Sequence, residues 1–191
     1  MGIHGLNEMA VARTVWGFIE GRDYRLMRRL NRWRPPRWVR FWMIIATRLG
    51  DGWLWYALGV ALLLDGGPHR FVAVGATAST ALVSVLVFKA LKRLSHRPRP
   101  CQLEPHCWSK VLPPDRFSFP SGHAMTAFAI ALVLSFFYPS LEGPLFFLAA
   151  SIAVSRIVLG MHFLSDVLAG MVMGVALGCS AMTALAALGI A

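Results

Sequence analysis

Charge is what this chain has least of. Charged side chains make up 15% of its 191 residues, against 57% that are hydrophobic, whereas a soluble domain carries about 25% charge. With a mean hydropathy of +0.58, the composition argues against a soluble core and for a helical membrane protein of one domain. Acids are scarcer still: 9 Asp and Glu face 19 Lys and Arg, for a net charge of +10. No group of carboxylates has metal-ligand spacing, so nothing in the sequence suggests a magnesium or calcium site. Internal repeats and low-complexity linkers are missing. The first thirty residues lack a continuous apolar stretch followed by a small-residue cleavage site, so no secretory signal is expected.

Long apolar runs fill most of what remains. Phe71 to Leu91 carries one charge, Lys89, and is long enough at about 1.5 Å per residue to cross about 30 Å of hydrocarbon. Ala124 to Tyr138 is uncharged and can extend back through Pro120. Pro144 to Gly160 is interrupted by Arg156, and Phe163 to Ala191 by Asp166. Gly170, Gly174 and Gly178 recur at i, i+4 and i+8, the spacing of close helix packing. Trp53 to Leu64 is short and needs the residues before Gly52 to complete a crossing.

The N-terminal region differs in kind. Between Arg22 and Arg48 there are nine arginines and one acid, Asp23, interleaved with Leu26, Leu30, Trp33, Trp38, Phe41 and Trp42. Pro35-Pro36 divides it into two candidate helices. Basic amphipathic helices with tryptophan suit the headgroup layer, where arginines meet lipid phosphates; a solvated basic extension is the plainer alternative. Nucleic acid is not expected as a partner, because the charge is tied to membrane segments. The chain reads as an all-α integral membrane bundle of five to six crossings. Residues 1–50 form its basic amphipathic region, and residues 51–191 form the core that carries the chemistry.

Three short pieces adjoin the apolar spans. The first is Lys92 with Arg99-Pro100. Arginine offers a planar fork for phosphate oxygens and lysine a compact charge, although alone they also fit a positive flank anchoring a helix. The second is Pro120-Ser121-Gly122-His123. Serine is a good N-cap, glycine admits a ligand close to the backbone, and free amides at a helix start bind phosphate. His123 would then lie in the first turn, close enough to protonate a leaving oxygen; alone it also fits an interfacial histidine. The third is Ser155-Arg156, then His162 and Asp166. A charge inside an apolar span is costly and usually functional. Gly160 can end one helix and let the next begin near His162. Asp166, at i+4, would share a helical face with His162. A carboxylate there can hold one imidazole proton and free the other nitrogen for attack on phosphorus, or the pair can simply satisfy itself.

In order and spacing the pieces resemble the signature of the type 2 phosphatidic acid phosphatase superfamily, whose membrane branch consists of lipid phosphatases. The pattern is Lys, six residues, Arg-Pro; Pro-Ser-Gly-His; then Ser-Arg, five residues, His, three residues, Asp. Every fixed position matches across residues 92–166. The resemblance implies His162 as nucleophile forming a phosphohistidine, Asp166 orienting it, and His123 as proton donor to the leaving group. Lys92, Arg99 and Arg156 would neutralise the phosphoryl oxygens, with Ser121 and the Gly122 amide helping, in the role metal ions play elsewhere. No metal and no cofactor are expected. Lys89, Arg93 and Arg97 are expected to attract lipid headgroups rather than touch the reacting phosphate.

The implied substrate is a lipid phosphate or pyrophosphate, undecaprenyl pyrophosphate first. Phosphatidylglycerol phosphate, phosphatidic acid and lipid A 1-phosphate stand as alternatives, as do lipid-to-lipid phosphotransfer and, in another class, non-catalytic lipid binding or transport. The intact histidines argue against the last. The expected location is a bacterial inner membrane, multi-pass, with the site facing the periplasm. The arginine-rich N-terminus fits a cytoplasmic position. Cys101 and Cys107 share the basic loop and either pair in an oxidising compartment or stay unpaired. Oligomeric state leaves no mark in the sequence.

Overall fold

The structure, a computed structural model, describes residues 3–104 and 115–190. The question of a Cys101–Cys107 disulfide therefore falls outside the described residues. The described chain is all helical: α1 (Ile3–Arg32), α2 (Arg37–Leu49), α3 (Trp53–Asp65), α4 (Arg70–Ser95), the single turn α5 (Pro100–Leu103), α6 (Gly122–Phe137), α7 (Glu142–Val158) and α8 (Leu164–Ala187), with a 3₁₀ turn at Pro139–Leu141. Pro35-Pro36 separates α1 from α2, since proline has no amide to donate and disfavours helix in the residue before it.

Arg70–Leu103, Pro139–Val158 and Leu164–Ala187 are long and apolar enough to cross a membrane, and the shorter apolar helices Trp53–Asp65 and Gly122–Phe137 accompany them. These are the segments on which the expectation of five to six crossings rests.

Helix α6 is the axis, packed against α8, α4 and α7. It is buried through Ala124, Ala127, Ile130, Ala131 and Leu134, against Leu145, Ala149 and Ile152 of α7 and Val167 of α8. The glycine stripe does what its spacing predicts. A Cβ on Gly170 would lie 2.5 Å from the Ser121 carbonyl oxygen, and one on Gly174 would collide with the Met125 carbonyl. Backbone therefore meets backbone, and the start of α6 is held against the start of α8, where the Ser121 amide donates to the Asp166 carbonyl at 3.0 Å. Outward faces stay apolar: Tyr56, Leu64, Phe71, Leu82, Leu86 and Val172 are exposed, as lipid contact requires. In the N-terminal region Trp38 and Phe41 are exposed as well, while Met27 and Met43 are buried.

Candidate active site

The three sequence pieces converge where α4, α6 and α7 end or begin on one side of the bundle. Lys92, Arg99, Gly122, His123, Arg156 and His162 line one cavity of about 450 Å³, with Lys89 and Arg93 also on its wall. Ser121 and Asp166 are fully buried. Each element has a local reason for its place. His96 closes α4 in a left-handed conformation (φ 47°), and the chain then runs through Pro98 and Pro100, pinned by hydrogen bonds from Ser118 to the Arg97 and Pro98 carbonyls. Gly160 takes φ 68° just after α7, a conformation glycine adopts without penalty, and turns the chain back toward α8.

The cations are preorganised. Arg99 is fully buried and donates from Nη1 to the Met161 carbonyl at 2.7 Å, with His162 Nε2 3.2 Å from the same nitrogen. Arg156 donates from Nη1 to Thr47 Oγ1 at 2.6 Å, which leaves its Nε and Nη2 buried without a hydrogen bond among the described residues. Ser121 Oγ is in the same condition and, though N-cap of α6, makes no capping bond. Buried polar groups ordinarily find partners, so these unspent donors are available to a ligand that accepts hydrogen bonds. Asp115 reaches two of the cations, accepting from Lys92 Nζ at 2.6 Å and Arg99 Nη2 at 2.5 Å. Burial pushes its carboxyl up, but the bonds and charges of Lys92 and Arg99 outweigh that and leave it below the usual carboxylate range. One carboxylate spanning Lys92 and Arg99 shows that the two point at a common anion position.

His162 is buried and kept neutral: desolvation first, then the charges of Arg99, Arg156 and Lys92, hold it well below the usual imidazole range. An unprotonated nitrogen beside clustered cations has the form a nucleophile needs. Its relation to Asp166 corrects the sequence reading. The two do not share a helical face, because α8 begins at Leu164 and His162 precedes it. They approach because Asp166 folds back over the helix start, accepting from the Phe163 amide at 2.8 Å. His162 Nδ1 and Asp166 Oδ2 are 3.7 Å apart, adjacent but beyond hydrogen-bond length.

Arg97 is the second correction. Expected to draw lipid headgroups, it is buried. Its Nη1 donates to Asp166 Oδ1 at 2.6 Å and to Ser165 Oγ at 2.7 Å, and its Nη2 to Asp23 Oδ2 at 2.8 Å. Asp23, from α1, also accepts from the Ser165 amide at 3.1 Å and the Ser165 hydroxyl at 2.5 Å, so a carboxylate sits on the positive end of α8. Tyr24 donates to Glu104 at 2.5 Å, and Arg28 pairs with the same residue at 3.4 Å, tying α1 to the loop that carries Arg99. Asp23, Asp51, Thr47 and Asp115 were not singled out as site residues from sequence. Asp23 alone left a signal, as the one acid among nine arginines.

On one side the cavity shares Phe88, Gly122, His123 and Arg156 with a larger groove of about 740 Å³, walled by Trp55, Tyr56, Leu82, Val85 and Ile130 among others. A charged pocket thus opens onto apolar helix surface.

Membrane helices closing around three cations and two histidines define a membrane-embedded phosphoryl-handling protein. The PAP2 superfamily model matches residues 71–189, and the chain belongs to that superfamily as a PAP2-type phosphatase. It is 37% identical over 128 residues to decaprenylphosphoryl-5-phosphoribose phosphatase of Mycobacterium tuberculosis, covering 66% of this chain and 68% of that one. It is 35% identical over 103 residues to phosphatidylglycerophosphatase B of Bacillus subtilis, over 48% of each. Among solved structures, LpxE of Aquifex aeolicus superposes with a TM-score of 0.70 at 29% identity, covering 83% of this chain and 93% of that one. A transmembrane PAP2-type phosphatidylglycerolphosphate phosphatase of Bacillus subtilis superposes at 0.66 and 24% identity, over 86% and 85%, and shares the fold.

Proposed function

We propose that this multi-pass membrane protein hydrolyses the terminal phosphate of a polyprenyl-linked lipid through a phosphohistidine. The observation that carries the reading is His162 Nε2, neutral and 3.2 Å from Arg99 Nη1, in a cavity that continues into an apolar groove. Nε2 attacks phosphorus while the bond to the leaving oxygen breaks, and His123 gives that oxygen its proton. Lys92, Arg99, Arg156, Ser121 and the Gly122 amide hold the three phosphoryl oxygens as charge spreads over them. Water then attacks the phosphohistidine, His123 takes the water's proton, and inorganic phosphate leaves with His162 restored. Asp166 orients the nucleophile.

Similarity to the decaprenylphosphoryl-5-phosphoribose phosphatases favours a prenylphosphoryl sugar phosphate ahead of the undecaprenyl pyrophosphate expected from sequence. Both carry a terminal phosphate at the polar end of a long prenyl lipid, on the sugar in the first and on the chain's own phosphate in the second. The test is catalytic efficiency in detergent over a panel of prenylphosphoryl sugar phosphates, undecaprenyl pyrophosphate, phosphatidylglycerol phosphate, phosphatidic acid and lipid A 1-phosphate. A preference for glycerolipids by about tenfold or more, or about 1.4 kcal/mol, would overturn the prenyl assignment. Phosphate appearing on an added lipid acceptor instead of in solution would make the chain a phosphotransferase.

The reaction is proposed to need no metal, so chelator leaves activity intact and vanadate inhibits. Activity lost to chelator and restored by a divalent ion would refute this. The site is proposed to face the periplasm of a bacterial inner membrane. Labelling of Cys101 only after that membrane is permeabilised would place it on the other side.

A further inference from the structure

The α2–α3 turn lies outside the residues matched by the family model, yet it is built against the second histidine. Asp51 Oδ1 lies 3.0 Å from His123 Nε2. Two glycines make this approach possible. A Cβ on Gly50 would lie 2.9 Å from His123 Cδ2 and from Ile152 Cγ2, so only glycine brings the turn onto the imidazole without displacing it. Gly52 takes φ 110°, outside the reach of ordinary side chains. Arg48 holds the other carboxylate oxygen at 3.4 Å. The hydrogen bond with His123 is the main reason the Asp51 carboxyl lies below its ordinary range, so it is ionised at neutral pH. The same end of α2 supplies Thr47 to Arg156.

We infer that Asp51 is the positioning residue of the proton donor, fixing His123 through Nε2 and leaving Nδ1 to serve the leaving oxygen. This rests on the assignment of His123 as general acid. The need for such a partner is electrostatic. Lys92 from α4, Arg99 from the loop after it, Arg156 from α7 and His162 from the turn before α8 line the same cavity as His123. Three of these are cations that oppose an imidazolium. Asp115 also lines the cavity, but its carboxylate oxygens bond Lys92 and Arg99. Asp51 is the carboxylate in hydrogen-bond contact with the ring. As the bond from phosphorus to the leaving oxygen breaks, the Nδ1 proton passes to that oxygen and the Nε2 proton stays facing Asp51. Water attack on the phosphohistidine later returns a proton to Nδ1.

The test compares leaving groups. A short-chain phosphatidic acid expels diacylglycerol as an alkoxide that needs a proton, whereas 4-nitrophenyl phosphate expels a stable phenolate that does not. Asp51→Asn should lower the ratio of kcat/KM on the first to kcat/KM on the second, which reports formation of the phosphohistidine and not its hydrolysis, by about 10- to 100-fold, less than the about 10²–10⁴-fold of a general acid itself. His123→Ala should lower the ratio further, and adding Asp51→Asn to it should do nothing more. Asp51→Glu, which keeps the carboxylate on a longer arm, should fall between and serves if Asp51→Asn folds poorly. Equal losses on both substrates, or no loss on either, overturn the inference. Failure of the underlying reading appears separately, as an unchanged ratio in His123→Ala itself.

Discussion

The region before α4 and the helical core from α4 onward bring opposite charges to one site. The core supplies Lys92, Arg99 and Arg156 together with both histidines. The region before it holds nine arginines between Arg22 and Arg48, yet what it sends inward is acid. Asp23 reaches the His162 side through Arg97 and Ser165, and Asp51 reaches His123 directly. Each histidine thus has an N-terminal carboxylate behind it, one relayed and one in contact. A pocket of clustered cations binds phosphate well but disfavours any further positive charge, so acids placed behind the site offset that cost. In the proposed mechanism the core binds the phosphoryl group, and the N-terminal region holds in place the histidines that attack phosphorus and transfer protons.

The sharpest way to break this comparison is at the core. His162→Ala should reduce turnover by about 10⁵-fold or more, the scale of nucleophile removal in a concerted site; residual turnover within about tenfold of wild type would end the account. Arg156→Ala should cost about 10²–10³ in kcat, as loss of one preorganised donor to transition-state charge does. The variant purified in detergent and assayed on the preferred lipid reads this directly.

On the N-terminal side, Asp23→Asn should lower kcat about tenfold, or about 1.4 kcal/mol of barrier, and should do so equally for alkyl and aryl phosphates. That equality distinguishes it from Asp51→Asn, because the relay acts on the nucleophile and not on the leaving group. The same change breaks a buried pair and should lower stability by about 3–5 kcal/mol, seen as a lower melting temperature in detergent. Asp115→Asn removes a competitor for Lys92 and Arg99 and should tighten vanadate inhibition about two- to fivefold, the scale of a half-exposed ion pair. The smallest effect concerns pH. Because burial and the neighbouring cations hold His162 well below the usual imidazole value, it keeps its free nitrogen as pH falls. No half-loss of kcat centred near about pH 6.5 is expected, and a profile showing one would put the nucleophile in solvent.

Much of the core could be read in advance because its determinants are local. The apolar runs, the stripe at Gly170, Gly174 and Gly178, and each motif piece by itself (Lys92 to Pro100, Pro120 to His123, Ser155 to Asp166) lie within short stretches of chain. The N-terminal contribution could not, because its meaning lies in partners far along the sequence: Asp23 and Arg97 are 74 positions apart, and Asp51 and His123 72. Arg97 misled for a related reason. Among Arg93, Arg97 and Arg99 nothing in composition separates an exposed flank from a buried relay. Only the loop geometry set by Pro98, Pro100 and Ser118 turns Arg97 inward toward Asp166 while Arg99 reaches the cavity. The His162–Asp166 pair was found by its spacing but for an incomplete reason, since capping of the α8 start, and not a shared helical face, brings it together.

In the proposed reaction His162 carries the phosphoryl group between lipid and water. Brief mixing of enzyme with substrate, alkaline quenching to preserve phosphohistidine and mass spectrometry of the peptides test it most directly. An acid-labile phosphoryl adduct is expected on His162, absent from His162→Ala and still formed by Asp51→Asn with 4-nitrophenyl phosphate. An adduct on another residue, or full turnover by His162→Ala, would contradict it.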